Sequence, residues 1–177
     1  IFKNAESGAY RLGHGVVALA EAARVGGGLV AEARPAMRRL NLKLRETVYL
    51  SVREDEFRLD VDQVDGLNEV RSVITLGVQC PLYAGAPSSV LAAAMQDNEL
   101  NAILQRTAPR NFDYAAFKRA VQTVRRRGYS EELNNVQRTG AISAPIRSRS
   151  QEVIAALSIS ASLDTFLRRR KELLQGV

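Results

Sequence analysis

The hydrophobic pattern changes period several times along the chain, and each change marks an element. Val16, Val17, Leu19, Ala20 and Ala23 crowd one side of a helical projection, which predicts a short helix. Gly26–Gly27–Gly28 ends it, because three successive glycines carry a large backbone entropy cost in a helix; this is the expected hinge. A second helix is predicted over residues 29–42, with Val30, Met37 and Leu40 at helical spacing and Pro35 set to kink it or restart its first turn. Thr47, Tyr49 and Ser51 then alternate with Val48, Leu50 and Val52, the pattern of a half-buried strand. The polar turn Arg53-Glu54-Asp55-Glu56 leads into a second strand carrying Phe57, Leu59 and Val61 and running to Val64. Asp65–Gly66 is a turn signal, and a third strand is predicted over residues 70–76.

The second half begins with helices. Pro87-Ser88-Ser89 before Val90-Leu91-Ala92 reads as a helix start, with proline suited to the first turn. Asp97 is placed to cap a short helix through Leu104. Asp113 is placed to cap a longer one, in which Phe117, Val121 and Val124 share a face and which Gly128 ends. Residues 130–140 read as a loop. Strands are then predicted over 139–146 and 153–160, joined by the polar loop 147–152, and a helix over 163–174 closes the chain. Helix, antiparallel strands, helices, strands and helix make an α+β pattern, with helices packed on a central sheet.

Composition narrows the picture. A chain of 177 residues has room for one α/β-sized domain and an appendage. It has no Trp and 6% aromatics, so its core must come mainly from Ala, Val, Leu and Ile. A single cysteine, Cys80, excludes an internal disulfide framework and points to a reducing, cytoplasmic compartment. No apolar run reads as a signal peptide or membrane span, so no membrane partner is expected. The formal charge of +6 is spread in short runs such as Arg125–Arg127 and 168–171. Cations at helix C-termini complement the helix dipole, and these runs are expected to be solvated faces rather than a nucleic-acid surface.

Candidate chemistry favours binding over catalysis. His14 is the only histidine and lies far from Cys80 and the later serines, which argues against a nucleophile–base pair and against zinc. No phosphate-binding loop or dinucleotide fingerprint is present, and neither metal nor cofactor is expected. The adjacent acids Glu131 and Glu132 read as exposed loop residues. The run Tyr83-Ala84-Gly85-Ala86-Pro87-Ser88 leads from extended chain into a helix; its small residues let a ligand approach, and free N–H groups at the helix start favour an anion. In Ala156-Leu157-Ser158-Ile159-Ser160 the period of two puts Ser158 and Ser160 on one face, either toward water or as the second wall of a pocket. Ser143 shares a face with Ala141 and Pro145 and extends that wall.

These motifs in order resemble the IclR family of bacterial transcription regulators. Tyr10-Arg11-Leu12-Gly13 is similar to the end of the winged helix and the start of the linker helix. Ala33-Arg34-Pro35 with Met37, Leu40 and Glu46-Thr47-Val48-Tyr49-Leu50 resembles the entry into the effector domain. Pro81-Leu82-Tyr83-Ala84-Gly85-Ala86 resembles the pocket loop. Arg127-Gly128-Tyr129, Ala144-Pro145-Ile146 and Ala155-Ala156-Leu157-Ser158-Ile159-Ser160 resemble the closing half. The resemblance implies a profilin- or GAF-like curved antiparallel sheet flanked by helices and preceded by a linker helix. Residues 1–12 would be a remnant of the wing, 13–28 the linker helix and hinge, and 29–177 the effector-binding and oligomerisation domain. It also implies a homodimer or homotetramer that binds operator DNA through an N-terminal winged helix not present in these residues. A small effector, an organic or aromatic acid, would be held by Ala84, Gly85, Ala86, Ala141, Ser158, Ser160 and either Glu131 or Glu132. A GAF-like sensor joined to a different output module is the alternative.

Overall fold

The computed structural model describes residues 2–3, 7–11, 13–25 and 28–177. Gly26 and Gly27 of the expected hinge, and Leu12 of the expected wing, lie outside the described residues. The chain divides into two compact units, residues 1–35 and 36–177. In the first, strands β1 (Phe2–Lys3) and β2 (Tyr10–Arg11) pair antiparallel, and helix α1 runs over Gly15–Val25. Helix α2 (Leu29–Leu44) is one element with Pro35 inside it, two residues longer than expected, and its buried Met37, Asn41 and Leu44 belong to the second unit.

The second unit is built on a curved, antiparallel six-stranded sheet. Its strands are β3 (Thr47–Glu54), β4 (Phe57–Val64), β5 (Gln79–Pro81), β6 (Ser130–Asn134), β7 (Thr139–Arg147) and β8 (Val153–Ser162). The order β5-β4-β3-β8-β7-β6 joins two meanders through the β3–β8 pair. Helices α3 (Ala86–Ala93), α4 (Asp97–Thr107) and α5 (Tyr114–Arg127) fall between β5 and β6, and α6 (Leu163–Leu174) follows β8. This matches the expected α+β class with its curved antiparallel sheet.

The register sorts the residues onto two faces. Val48 lies opposite Ile159, and Ile159 opposite Ile142, so these three form a fully buried cross-strand row. Helix α6 covers that face through Phe166. Gly140 makes this approach possible: a Cβ there would stand 2.3 Å from the Phe166 ring, far inside van der Waals contact. On the opposite face, Tyr49, Ser158, Ser143 and Ser130 form one row, and Thr47, Ser160, Ala141 and Glu132 the next. Beside these rows, α3, α4 and α5 build a second core from Leu91, Leu104, Phe117, Val121 and neighbours, in which Ala156 takes part.

Several expectations are corrected. Strand β3 is buried on both faces through Ser51, not half-buried, because helices cover both sides of the sheet. Residues 70–76 form no strand; the edge of β4 is taken instead by β5, with Phe57 opposite Pro81 and Leu59 opposite Gln79. The segment crosses the strand ends, held by Thr47 Oγ1 donating to the Ser72 carbonyl (2.6 Å) and by the Ile74 N–H donating to Gln63 Oε1 (3.1 Å). The expected loop at 130–140 contains β6, so Glu131 and Glu132 stand on an edge strand and point to opposite faces. Asp97 does not cap α4: Gln96 holds that position, and Asp97 pairs with Arg125 at 2.7 Å. Asp113 does cap α5, accepting from the Ala116 N–H at 2.8 Å, and α6 occupies the expected residues.

Candidate functional site

Strand β4 reverses the usual burial rule. In Phe57-Arg58-Leu59-Asp60-Val61-Asp62 the charged residues are inside and the apolar ones half-buried. Arg58 is 9% exposed and Asp60 3%. Such charges are tolerated inside only when paired and hydrogen-bonded. Arg58 Nε lies 3.1 Å from Asp60 Oδ1 and Nη2 donates to Oδ2 at 3.2 Å, while Ser51 Oγ donates to Asp60 at 2.6 Å. Arg58 Nη1 also donates to the Ala84 carbonyl (2.9 Å) and to Ser88 Oγ (3.0 Å), so the guanidinium ties the loop before α3 to the sheet.

That loop needs glycine at one point. Gly85 adopts φ +95°, in the region that L side chains avoid, and a Cβ there would lie 2.6 Å from Arg58 Nη1. The backbone thus passes directly over the guanidinium and starts α3 with Ala86 and Pro87. Ser88 Oγ donates to the Pro81 carbonyl at 3.0 Å and closes the turn.

Between this helix start and the Thr47–Ser160–Ala141–Glu132 row lies a cavity of about 310 Å³. Ala84, Gly85, Ala86, Glu132, Ala141 and Ser160 line it, all of them expected from the sequence. Two expected residues do not. Ser158 is fully buried beneath the cavity, donating to Ser143 Oγ at 2.9 Å. Glu131 turns to the other face, where its carboxylate accepts from Arg170 Nη2 at 2.7 Å. Register separates the two acids, since Glu132 stands opposite Ala141 and Ala141 opposite Ser160. Tyr49, Arg58, Asp60, Ser72 and Ile74 also line the cavity and were not foreseen. Strand β4 carried a sequence signal for two of them: charged residues at a spacing of two within an apolar strand.

The electrostatics are uneven. Burial pushes the Tyr49 phenol up to about 12, so it stays protonated. The Glu132 carboxyl is also held above the usual carboxylate range: partial burial raises it, while the Arg58 charge and a hydrogen bond from the Gly85 N–H oppose the rise. Asp60 already pairs with Arg58, so the Arg58 charge offsets the burial of Glu132 only in part. The Glu132 carboxylate occupies the anion position that the start of α3 creates. Ser160 Oγ donates to Ser72 Oγ at 2.9 Å and joins the sheet wall to the crossing segment. Among the described residues, no three His, Cys, Asp or Glu side chains converge to hold a metal.

Fold and cavity together give an α+β domain with a ligand-sized recess, hydroxyls and charges on its walls. Residues 23–177 match the family described as the bacterial transcriptional regulator IclR C-terminal domain, and the chain belongs to that family. It is 31% identical over 172 residues to the HTH-type transcriptional regulator Rv1719 of Mycobacterium tuberculosis, covering 94% of this chain and 65% of that protein. Among solved structures, an IclR-family regulator from Rhodococcus sp. is 28% identical with TM-score 0.76, covering 99% of this chain and 69% of that one. A transcriptional regulator from Rhodococcus sp. RHA1 shares the fold with TM-score 0.82 at 24% identity, covering 93% of this chain and 71% of that one. The chain therefore spans just under two thirds of the curated relative's length. Its relatives carry the names of regulators, and the chain is a regulator domain rather than an enzyme.

Proposed function

We propose that this chain is the effector-sensing and self-association domain of a cytoplasmic regulator that binds operator DNA through a winged helix. The cavity carries the reading. At about 310 Å³ it suits a small organic acid, with backbone N–H groups of the α3 start at one side and Ser160 at the other. Because the Glu132 carboxylate already accepts from the Gly85 N–H, an acid effector either displaces that carboxylate or meets it protonated. In the second case effector binding is coupled to proton uptake by Glu132. Ser158 contributes as a support beneath the wall, through Ser143, and Ser160 as the wall itself.

Self-association has support in α1, where Val16 and Leu19, one turn apart on the same side, are 39% and 71% exposed, an apolar stripe suited to a second copy of the same helix. An effector that favours one packing of the domain would then change how two winged helices meet their half-sites, provided that its affinity for the two packings differs. No helix among the described residues is long and apolar enough to cross a membrane.

A thermal-shift screen of aliphatic and aromatic carboxylates tests this reading. A true effector at about 100 times its dissociation constant stabilises the domain by about 2.7 kcal/mol. A panel with no stabilising acid at acidic, neutral or alkaline pH contradicts it.

A further inference from the structure

A second recess lies behind the crossing segment, separate from the cavity under α3. It has a volume of about 470 Å³ and is formed by the segment around Arg71, the turn that carries Arg138 and the first turns of α6. Arg71, Arg138 and Arg168 all line it, and the one carboxylate there is Asp164. Arg138 Nη2 pairs with Asp164 at 3.1 Å. Arg71 and Arg168 have no hydrogen-bonding or acidic partner among the described residues. Asp164 precedes Arg168 by one helical turn but is turned away to Arg138. Three guanidiniums against one carboxylate leave the recess two positive charges in excess.

Its frame is fixed. The turn before β7 is held by Asn134 Oδ1 accepting from the Gln137 N–H at 2.9 Å, which leaves Arg138 at φ +53°. The Arg138 carbonyl accepts from the Leu163 N–H at 2.8 Å and docks this turn against the start of α6. Arginine forks recognise phosphate oxygens in a planar, bidentate manner, and the positive end of α6 adds to the same field.

We propose that this recess binds a phosphate dianion, free or as a small monoester. Two excess positive charges match the two negative charges of that group. A single concave recess fits one such ion better than the evenly spaced phosphates of a duplex, which call for a continuous basic stripe. Ser72 lines both this recess and the cavity under α3, and accepts from Ser160 at 2.9 Å. An ion on Arg71 therefore steadies the segment that walls the other site.

The test is calorimetric titration of the full chain with inorganic phosphate, and separately with phenyl phosphate, at low chloride. One saturable site is expected with at least one of them. The pair Arg71→Gln with Arg168→Gln should weaken it about tenfold or more, as loss of charge-assisted hydrogen bonds does, without a loss of thermal stability. Tyr49→Phe should leave it within about twofold of wild type, since that side chain lines only the other cavity. Absence of binding by both phosphates, or equal affinity in the double variant, overturns the proposal. So does a result in which the two arginines matter only for salt-dependent binding of duplex DNA.

Discussion

The two faces of the central sheet share the same strands and differ in chemistry. On one, Val48, Ile142 and Ile159 are fully buried under α6 and carry no polar group. On the other, the matching rows hold Tyr49, Ser143, Ser158 and Ser160, with Arg58 and Asp60 from the next strand. Tyr49, Ser143, Ser158 and Ser160 are buried like the apolar row, so exposure does not distinguish these residues. What differs is that every polar group on the second face must find a partner, and the partners are arranged around a space. The apolar face supplies stability through contact area. The polar face spends part of that stability on a shaped recess, as functional sites commonly do.

The contrast can be broken first from the apolar side. Phe166→Ala removes the ring that fits against Gly140 and should cost about 3–5 kcal/mol in urea denaturation. A loss under about 1 kcal/mol would show that α6 is not a core element. On the polar face, Asp60→Ala leaves the Arg58 guanidinium buried without its counter-ion, and about 3 kcal/mol should be lost by the same measurement. Ser158→Ala is milder. It removes the hydroxyl that donates to Ser143, and about 1 kcal/mol is expected, seen as a lowered denaturation midpoint with an unchanged slope.

The smallest effect is in the pH dependence. The Glu132 pKa is raised in the folded domain above its ordinary value of 4.5. A raised carboxyl contributes stability that is fully present below the unfolded value and is lost as pH rises through the folded one. Glu132→Gln removes that loss, so its stability relative to wild type should improve from pH 4.5 upward. A difference that is flat with pH would mean that the carboxylate is not strained at the α3 start.

Much of this contrast was legible in the sequence. The period of two in Ala156-Leu157-Ser158-Ile159-Ser160 separates the faces of β8, and the small residues at Ala84, Gly85 and Ala86 mark the close approach of backbone to cavity. Asp113 and Gly128 bounded α5 because caps and left-handed glycines are local chemistry. The rest depended on partners distant in the chain. Strand β6 is short and polar, and pairing with β7 alone makes it a strand, so the loop reading followed from its composition. The choice of Glu132 over Glu131 needed the register. The inward charges of β4 ran against hydropathy because Arg58 meets Asp60, Ala84 and Ser88 at once. Val70 and Val73 looked like a strand, yet both are exposed on a segment anchored by side-chain and carbonyl bonds.

We expect the polar face to bind the effector and the apolar face to hold the fold. Calorimetric affinity for the most stabilising carboxylate, measured in parallel on Ser160→Ala and Ile159→Val, tests this division most directly. Neighbouring residues on one strand then report on opposite faces. Ser160→Ala should weaken binding about tenfold with little change in stability. Ile159→Val should lose about 0.5–1.5 kcal/mol of stability and keep its affinity. Equal affinities in the two variants would contradict that division.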